Sequence, residues 1–396
     1  MSHPNLAHRL PYEVICQIIE APVLGTSDLT NSCLVSRKLL EPAQKRLYET
    51  ATVLIIEEVP RPAHSPHRLY RYHPRTWKLI RTLSEKPRLA KFVKRLMLEL
   101  GNKLSLEETQ DTGLEVRPAF ALSTFLQIAE NVVEVSFPFT WNRNLEEELE
   151  VIKDYKKVET LSMGVATHEN VEYIAHNIPH LKHLTLAELD ETGFDPDNFS
   201  SPNKLELLAT STDSPAMIAI LSANLSTLRH LSIPIEALLD FDFSQIPHLE
   251  SLRLGSNRTR MEELEPDEEF EFGEKCNEFW TSLCRSSSLE TLAFEAGRCL
   301  ERVETALFEP SCYNMFHSDK PAPQQSIPTL TTLRFYRDIE LDRANFFLSV
   351  PLGSTLRRIV IPGRLGSPKA TLEESNKLDF VAGICKKRGI ELVWGD

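Results

Sequence analysis

Ile178-Pro179-His180-Leu181-Lys182-His183-Leu184-Thr185-Leu186 returns twice along the chain in altered form. The returns are Ile246-Pro247-His248-Leu249-Glu250-Ser251-Leu252-Arg253-Leu254 and Ile327-Pro328-Thr329-Leu330-Thr331-Thr332-Leu333-Arg334-Phe335. Each has an apolar residue, two variable positions, a second apolar residue, one variable position and a third. The last two apolar residues stand two apart, so they face one side of a short strand. The first comes in from the turn before it. Proline ahead of it cannot continue a helix, so it stops one element and sets up the next.

The same spacing recurs with other residues. Clear copies are Leu228-Leu231-Ile233 and Leu289-Leu292-Phe294. Weaker ones are Val93-Leu96-Leu98, Val132-Val135-Phe137, Val158-Leu161-Met163 and Leu356-Ile359-Ile361. A damaged copy holds Leu205 and Leu208 but has Thr210 third. Successive copies start 39, 26, 23, 24, 23, 21, 40, 41 and 26 residues apart. One strand face per repeat cannot close a core, so the repeats must stack, with their strands side by side in a parallel sheet.

Between strands the chain should cross back as helices. Val171, Ile174, Ala175 and Ile178 lie at helical spacing, as do Met217, Ile218 and Leu221. Phe279, Trp280 and Leu283 form a third set, and Leu378, Val381, Ile384 and Cys385 a fourth. From about residue 88 to 396 the chain resembles the leucine-rich-repeat superfamily. The expected fold is therefore α/β: a right-handed leucine-rich-repeat solenoid of parallel strands with convex helices. The asparagine ladder of regular members is matched only once, by Asn257 three residues after Leu254.

Residues 9 to 50 read differently. Val14, Ile15, Ile18 and Ile19 share one helical face after Leu10-Pro11, and Pro22 ends that helix. Ser27-Asp28 suits the start of a second helix through Leu29, Cys33 and Leu34. A third runs from about Ser36 to Tyr48 with a break expected at Pro42. Three such helices make a very small core that needs support from a neighbour. The ordered series Leu10-Pro11-Tyr12-Glu13-Val14, Ile18-Ile19, Asp28-Leu29, Leu34-Val35-Ser36-Arg37 and Leu47-Tyr48 resembles an F-box. The whole layout is similar to fungal F-box proteins with irregular leucine-rich repeats. Expected domains are an F-box-like helical segment at 1–50, a basic linker and helical capping segment at 51–87, and the irregular repeats at 88–396.

The resemblance implies partners. F-box segments dock on the Skp-family adaptor of cullin-RING ubiquitin ligases, and the following domain selects a protein substrate. Carried over, Leu10, Pro11, Val14, Ile18, Leu29, Leu34 and Val35 face either the adaptor or the local core. The substrate surface is expected on the concave strand face, at His183, Thr185, His230, Ser232, Ser251, Arg253, Thr291, Arg334, Tyr336 and Arg358. That set is mixed and partly basic, which suits acidic or phosphorylated groups.

Composition narrows the remaining classes. Hydrophobic residues make up 41% of the 396, enough for a large core. Net charge is -13, which argues against nucleic acid or an anionic membrane as the main partner. The charge is uneven. Arg61 to Arg95 holds eleven Lys/Arg and one acid, and Glu262 to Glu278 holds nine acids and one base. Both read as solvated faces or loops. The seven cysteines form no Cys-x-x-Cys pair, so reduced thiols in the cytoplasm or nucleus are expected. No apolar run is long enough to span a membrane. The sequons at Asn198, Asn224 and Asn257 read as chance matches.

Phosphate-cradling, zinc-protease and nucleophile-elbow motifs are missing, and the 14 glycines are few for a phosphate loop. No catalytic residue, metal or cofactor is expected. Two rivals to the ligase-adaptor reading stand open: a scaffold whose helices only cap the solenoid, and a hydrolase or transferase on another fold.

Overall fold

The computed structural model describes residues 11–20, 24–58, 69–101, 117–137, 145–190, 192–196, 199–201, 203–211, 214–234, 243–255, 282–283, 288–294, 327–335, 355–362 and 382–395. The chain forms two compact units, Met1–Leu181 and Lys182–Asp396.

The first unit opens with α1 (Tyr12–Glu20), α2 (Thr26–Val35) and α3 (Arg37–Tyr48). The start of α2 is one residue earlier than Ser27 suggests: the Asp28 carboxylate accepts the Gly25 N–H at 3.0 Å. Ser36 caps α3 by accepting the Lys38 N–H at 3.2 Å. The expected break at Pro42 is absent, and α3 is continuous. Pro42 removes one backbone donor, but it and Ala43 are buried, and that packing holds the helix through the defect. Ile15, Ile19, Leu29 and Ala43 form a small separate core, flanked by Leu24, Cys33, Leu39 and Leu47.

Strand β1 (Thr50–Glu58) follows α3 directly, then β2 (Leu69–Tyr72), α4 (Pro74–Glu85), α5 (Pro87–Ala90) and β3 (Arg95–Gly101). The segment expected as a linker is thus built into the sheet: β1 pairs in parallel with β3 and antiparallel with β2. Ala51 and Val53 complete the spacing that begins at Tyr48, a copy hidden by the small alanine and the long gap to Val93. On α4 the inner face is Thr76, Ile80 and Leu83; Trp77, which fits the same spacing, is half exposed. Thr76 holds the Leu54 backbone from both sides. Its hydroxyl accepts the Leu54 N–H at 2.8 Å and donates to the Leu54 carbonyl at 2.9 Å.

The first unit continues with α6 (Pro118–Ile128), β4 (Glu134–Phe137), α7 (Glu146–Asp154), β5 (Thr160–Thr167) and α8 (His168–Asn177). Its described strands run in the order β2-β1-β3-β4-β5. Register aligns Leu96, Val135 and Leu161 on the core side, and all three are buried.

The second unit contains β6 (His183–Asp190), β7 (Leu207–Thr210), α9 (Pro215–Asn224), β8 (His230–Pro234), β9 (Ser251–Gly255), β10 (Thr291–Phe294), β11 (Thr332–Phe335), β12 (Arg358–Pro362) and β13 (Glu391–Gly395). Described strands follow chain order, and neighbouring pairs are parallel. One core row is Leu184, Leu208, Leu231, Leu252, Leu292, Leu333 and Ile359, every member buried. In the next row Phe294 and Phe335 stack, with ring centroids 6.0 Å apart. This is the α/β, solenoid-like succession of parallel strands that the spacing predicts.

The Ile-Pro-x-Leu starts are β-turns. Leu181, Leu249 and Leu330 each donate to the carbonyl three residues back, at 3.1, 3.4 and 3.3 Å, with proline at the second turn position. A second device links successive repeats. The Glu250 carbonyl accepts both Glu290 and Thr291 N–H, and the Glu290 carbonyl accepts Thr331 and Thr332. A third is a hydroxyl ladder from the residue just before the first leucine of four repeats. Thr227, Ser288, Thr329 and Thr355 donate to the carbonyls of Leu205, Leu249, Leu289 and Leu330, at 2.9, 2.9, 2.7 and 3.0 Å. These bonds do the inter-repeat work expected of the asparagine ladder. Thr329→Val removes one of them at constant shape, so it should cost about 1 kcal/mol in urea unfolding, the usual net worth of such a bond. An unchanged midpoint would mean that the ladder adds nothing.

Of the four helical sets, Val171, Ile174, Ala175 and Ile178 are all buried around α8. On α9 the core residues are Ala216, Met217, Ile220 and Leu221, with Ile218 half-buried. Phe279 and Trp280 lie outside the described residues, as do Leu378 and Val381; Leu283 and Cys385 are buried. Asn224 is 1% exposed, and its side-chain amide is bonded on both sides, so its sequon cannot carry a glycan. Asn198 and Asn257 lie outside the described residues.

Candidate functional site

The N-terminal helices divide their apolar residues between two jobs. Leu29 is 5% exposed and belongs to the local core, not to a partner-facing surface. Its place on α2 points between α1 and α3. Val14 is half-buried. Pro11 is exposed, and Ile18, Leu34 and Val35 are 49, 82 and 72% exposed. Leu10 lies outside the described residues. Two further exposed apolar residues join the set, Tyr12 on α1 and Leu40 on α3. Tyr12 was legible only as the variable position of Leu10-Pro11-Tyr12-Glu13. Its phenol is raised above its ordinary pKa, first by a hydrogen bond with Cys16, then by slight burial and the charges of Cys16 and Glu41. Glu41 lies on α3, which packs beside α1.

A consecutive Leu-Val pair at 82 and 72% exposure is costly in water unless something covers it. The pair closes α2, immediately before the Ser36 cap of α3, so its position is set by two helix ends and not by a free loop. Support for these helices comes from α3, which packs on α1, α2, α5 and β1. Glu41 pairs with Arg88 at 2.9 Å, but both are well exposed and the pair adds little. The end of this unit's sheet is closed by the antiparallel strand β2.

The second candidate surface is the outward strand face of the second unit. Register sorts it into two rows. One is His183, Leu207, His230, Ser251, Thr291, Thr332, Arg358 and Glu391. The other is Thr185, Ala209, Ser232, Arg253, Ala293, Arg334, Val360 and Val393. Nine of the ten residues expected on this face fall in these rows; Tyr336 lies outside the described residues. All nine are half-buried or exposed. The spacing alone also passes over Glu391, whose carboxylate accepts from Arg358 at 2.9 Å and offsets that charge. Ala293, between the two arginines, is only 3% exposed.

No described helix is long and apolar enough to cross a membrane. Among the described residues no three His, Cys, Asp or Glu side chains gather as metal ligands would. His180, in the turn before Leu181, has a buried Nε2 with no hydrogen-bond partner among the described residues. Burial lowers its pKa below 6.5 and Lys156 acts the same way, against the weaker opposite pull of the Tyr155 carbonyl and Glu159. A folded-state pKa below the unfolded one means that the unfolded chain binds the proton more readily. Stability therefore falls as pH drops through 6.5 toward the folded value. His180→Asn should flatten the decline in melting temperature between about pH 7 and 5. An identical slope in the variant would remove His180 from the account.

No protein-family profile matches the chain, and no curated protein sequence does. Among solved structures, the crystal structure of the Rad7 and Elc1 complex in yeast contains a chain similar to this one, with a TM-score of 0.35 at 16% identity. The match covers 73% of this chain and 75% of that one.

Proposed function

We propose that the chain is an F-box protein with irregular leucine-rich repeats, a substrate-recruiting subunit of a cullin-RING ubiquitin ligase. It has no catalysis of its own and works in the cytoplasm or nucleus. Its N-terminal helices dock on a Skp-family adaptor, and its outward strand face holds a protein substrate.

The observation that carries this reading is the exposed apolar set on the small helical segment. Tyr12, Ile18, Leu34, Val35 and Leu40 stay out of the local core of Ile15, Ile19, Leu29 and Ala43. A segment that only capped a repeat domain would turn such residues inward. Here α1 and α2 pack on α3, and β2 already closes the sheet end.

The test is co-purification of the full chain with a Skp-family adaptor, wild type against Leu34→Asp/Val35→Asp. Retention of the adaptor by the wild type and its loss in the folded variant is the expected result. A folded wild type that retains no adaptor sinks the ligase reading and leaves a binding scaffold.

A further inference from the structure

In the first unit α4 packs on α6, α6 on α7, and α7 on α8. Charge is sorted along that order. From Pro74 to Ala90, through α4 and α5, stand five Lys/Arg and one acid, and that acid, Glu85, pairs with Arg81 at 2.7 Å. Helix α6 has no charged residue from Pro118 to Ile128. Helix α7 has five acids and one lysine, and α8 adds Glu169 and Glu172. Arg75 and Lys78 on α4 and Glu147 on α7 are exposed, and none of them forms an ion pair with another described residue. Glu150 on α7 is exposed as well, though it pairs with Lys153 at 3.0 Å. Two aromatic side chains stand in water on the basic and neutral part. Phe120 on α6 is 65% exposed. Trp77 on α4 is 49% exposed and rests against Tyr72, ring centroids 6.2 Å apart. Exposed aromatics of this kind are what protein interfaces bury at their centres.

We propose that this helical layer pairs with a second copy of itself, about a two-fold axis that runs along α6. A half-turn about that axis sets α4 of each copy on α7 of the other and Phe120 against its own mate. The charge pattern selects the occupant. The layer is basic on one side of α6 and acidic on the other, so the half-turn sets unlike charges opposite each other on both sides at once. A face on a two-fold axis meets itself, and any charge there would meet its like. Helix α6, which lies at that place, carries none. A nucleic-acid strand fits worse, because its phosphates would meet the acids of α7 beside the cations of α4. The three helices cover about 30 by 15 Å, the size of a small interface, so the dimer is weak. The proposal does not depend on the ligase reading.

Sedimentation equilibrium of the full chain tests it. The wild type should dimerise at low salt with a Kd of about 10–100 µM. At about 1 M salt, where the Debye length is about 3 Å, affinity should fall at least about tenfold. Arg75→Glu/Lys78→Glu and Glu147→Lys/Glu150→Lys should each weaken the dimer at least about tenfold. Melting temperature should stay nearly the same, since all four side chains are exposed. An equal mixture of the two variants should dimerise again, and so should a chain that carries all four changes. A wild type that stays monomeric at about 100 µM overturns the proposal. So does a dimer that survives either charge reversal, or a mixture that stays monomeric. Tighter binding of an oligonucleotide or of poly-glutamate through Arg75 and Lys78 also overturns it and gives the face to another partner. Leu34→Asp/Val35→Asp should dimerise like the wild type, so self-association and adaptor binding are read apart.

Discussion

Leu34→Asp/Val35→Asp should weaken adaptor binding by about a thousandfold or more while leaving the melting temperature of the chain nearly unchanged. The two side chains are 82 and 72% exposed, so the free protein loses almost no packing when they change. Among the described residues of the helical segment they are the most exposed apolar groups, so a partner docking there would cover them. Full burial of a Leu or Val is worth about 1.5–3 kcal/mol each, so the pair carries about 4 kcal/mol, or three powers of ten in Kd. Aspartate adds the desolvation of a charge to that loss. Leu29→Ala gives the opposite signature. Leu29 sits in the four-residue core, and its truncation should cost about 2–4 kcal/mol of stability in this segment. Binding by titration calorimetry and melting by circular dichroism separate the two. If the double variant binds like the wild type, the exposed pair is not the docking surface.

That contrast shows how far a helical pattern can be read. Val14, Ile15, Ile18 and Ile19 share a face by spacing, yet the structure buries Ile15 and Ile19 and exposes Ile18. Periodicity says which residues lie on one side of a helix. It does not say which part of that side a neighbouring helix covers. Leu29 and Leu34 look alike in the series for the same reason: five positions apart, they stand more than a full turn from each other on α2, one inside and one out. The repeats were more legible, because a parallel strand forces strict alternation and its register propagates to the next. Leu184, Leu231, Leu252, Leu292 and Leu333 fall where the spacing puts them. What it hid were the two ends. Ala51 stands where a larger apolar residue is expected in β1. In β13 the first apolar position is Gly389, at φ 70, so the pattern of Leu392 and Trp394 loses its opening residue.

The polar fastenings between repeats were the least legible part. Regular repeats are expected to use an asparagine after the strand. This chain places hydroxyls before the first leucine, at Thr227, Ser288, Thr329 and Thr355, and buried asparagines on the connecting helices. Serine and threonine are common enough that their position means nothing until the register is known. Nothing in the spacing singles out Asn170, and Asn224 shows only as a chance sequon; their near-zero exposure gives both away.

Asn224→Leu should destabilise the second unit by about 3 kcal/mol, more than the loss of any single bond of the hydroxyl ladder. The amide oxygen of Asn224 accepts the Leu205 N–H at 3.0 Å, and its amide nitrogen donates to the Ile220 carbonyl at 2.9 Å. Leu205 is itself 1% exposed, so its N–H has no water to turn to when the acceptor goes. An orphaned buried donor costs about 1–3 kcal/mol by itself, and the branched leucine must also fit a site shaped for a flat amide. The substitution raises hydrophobicity, so a view of the core as merely apolar predicts the opposite sign. Ser222→Leu is the control: it makes the same kind of change two residues earlier, at an exposed position of α9. Urea unfolding should show a large fall in midpoint for Asn224→Leu and almost none for Ser222→Leu. Equal midpoints would mean that the Leu205 N–H finds another acceptor, and that the repeats are held by apolar stacking alone.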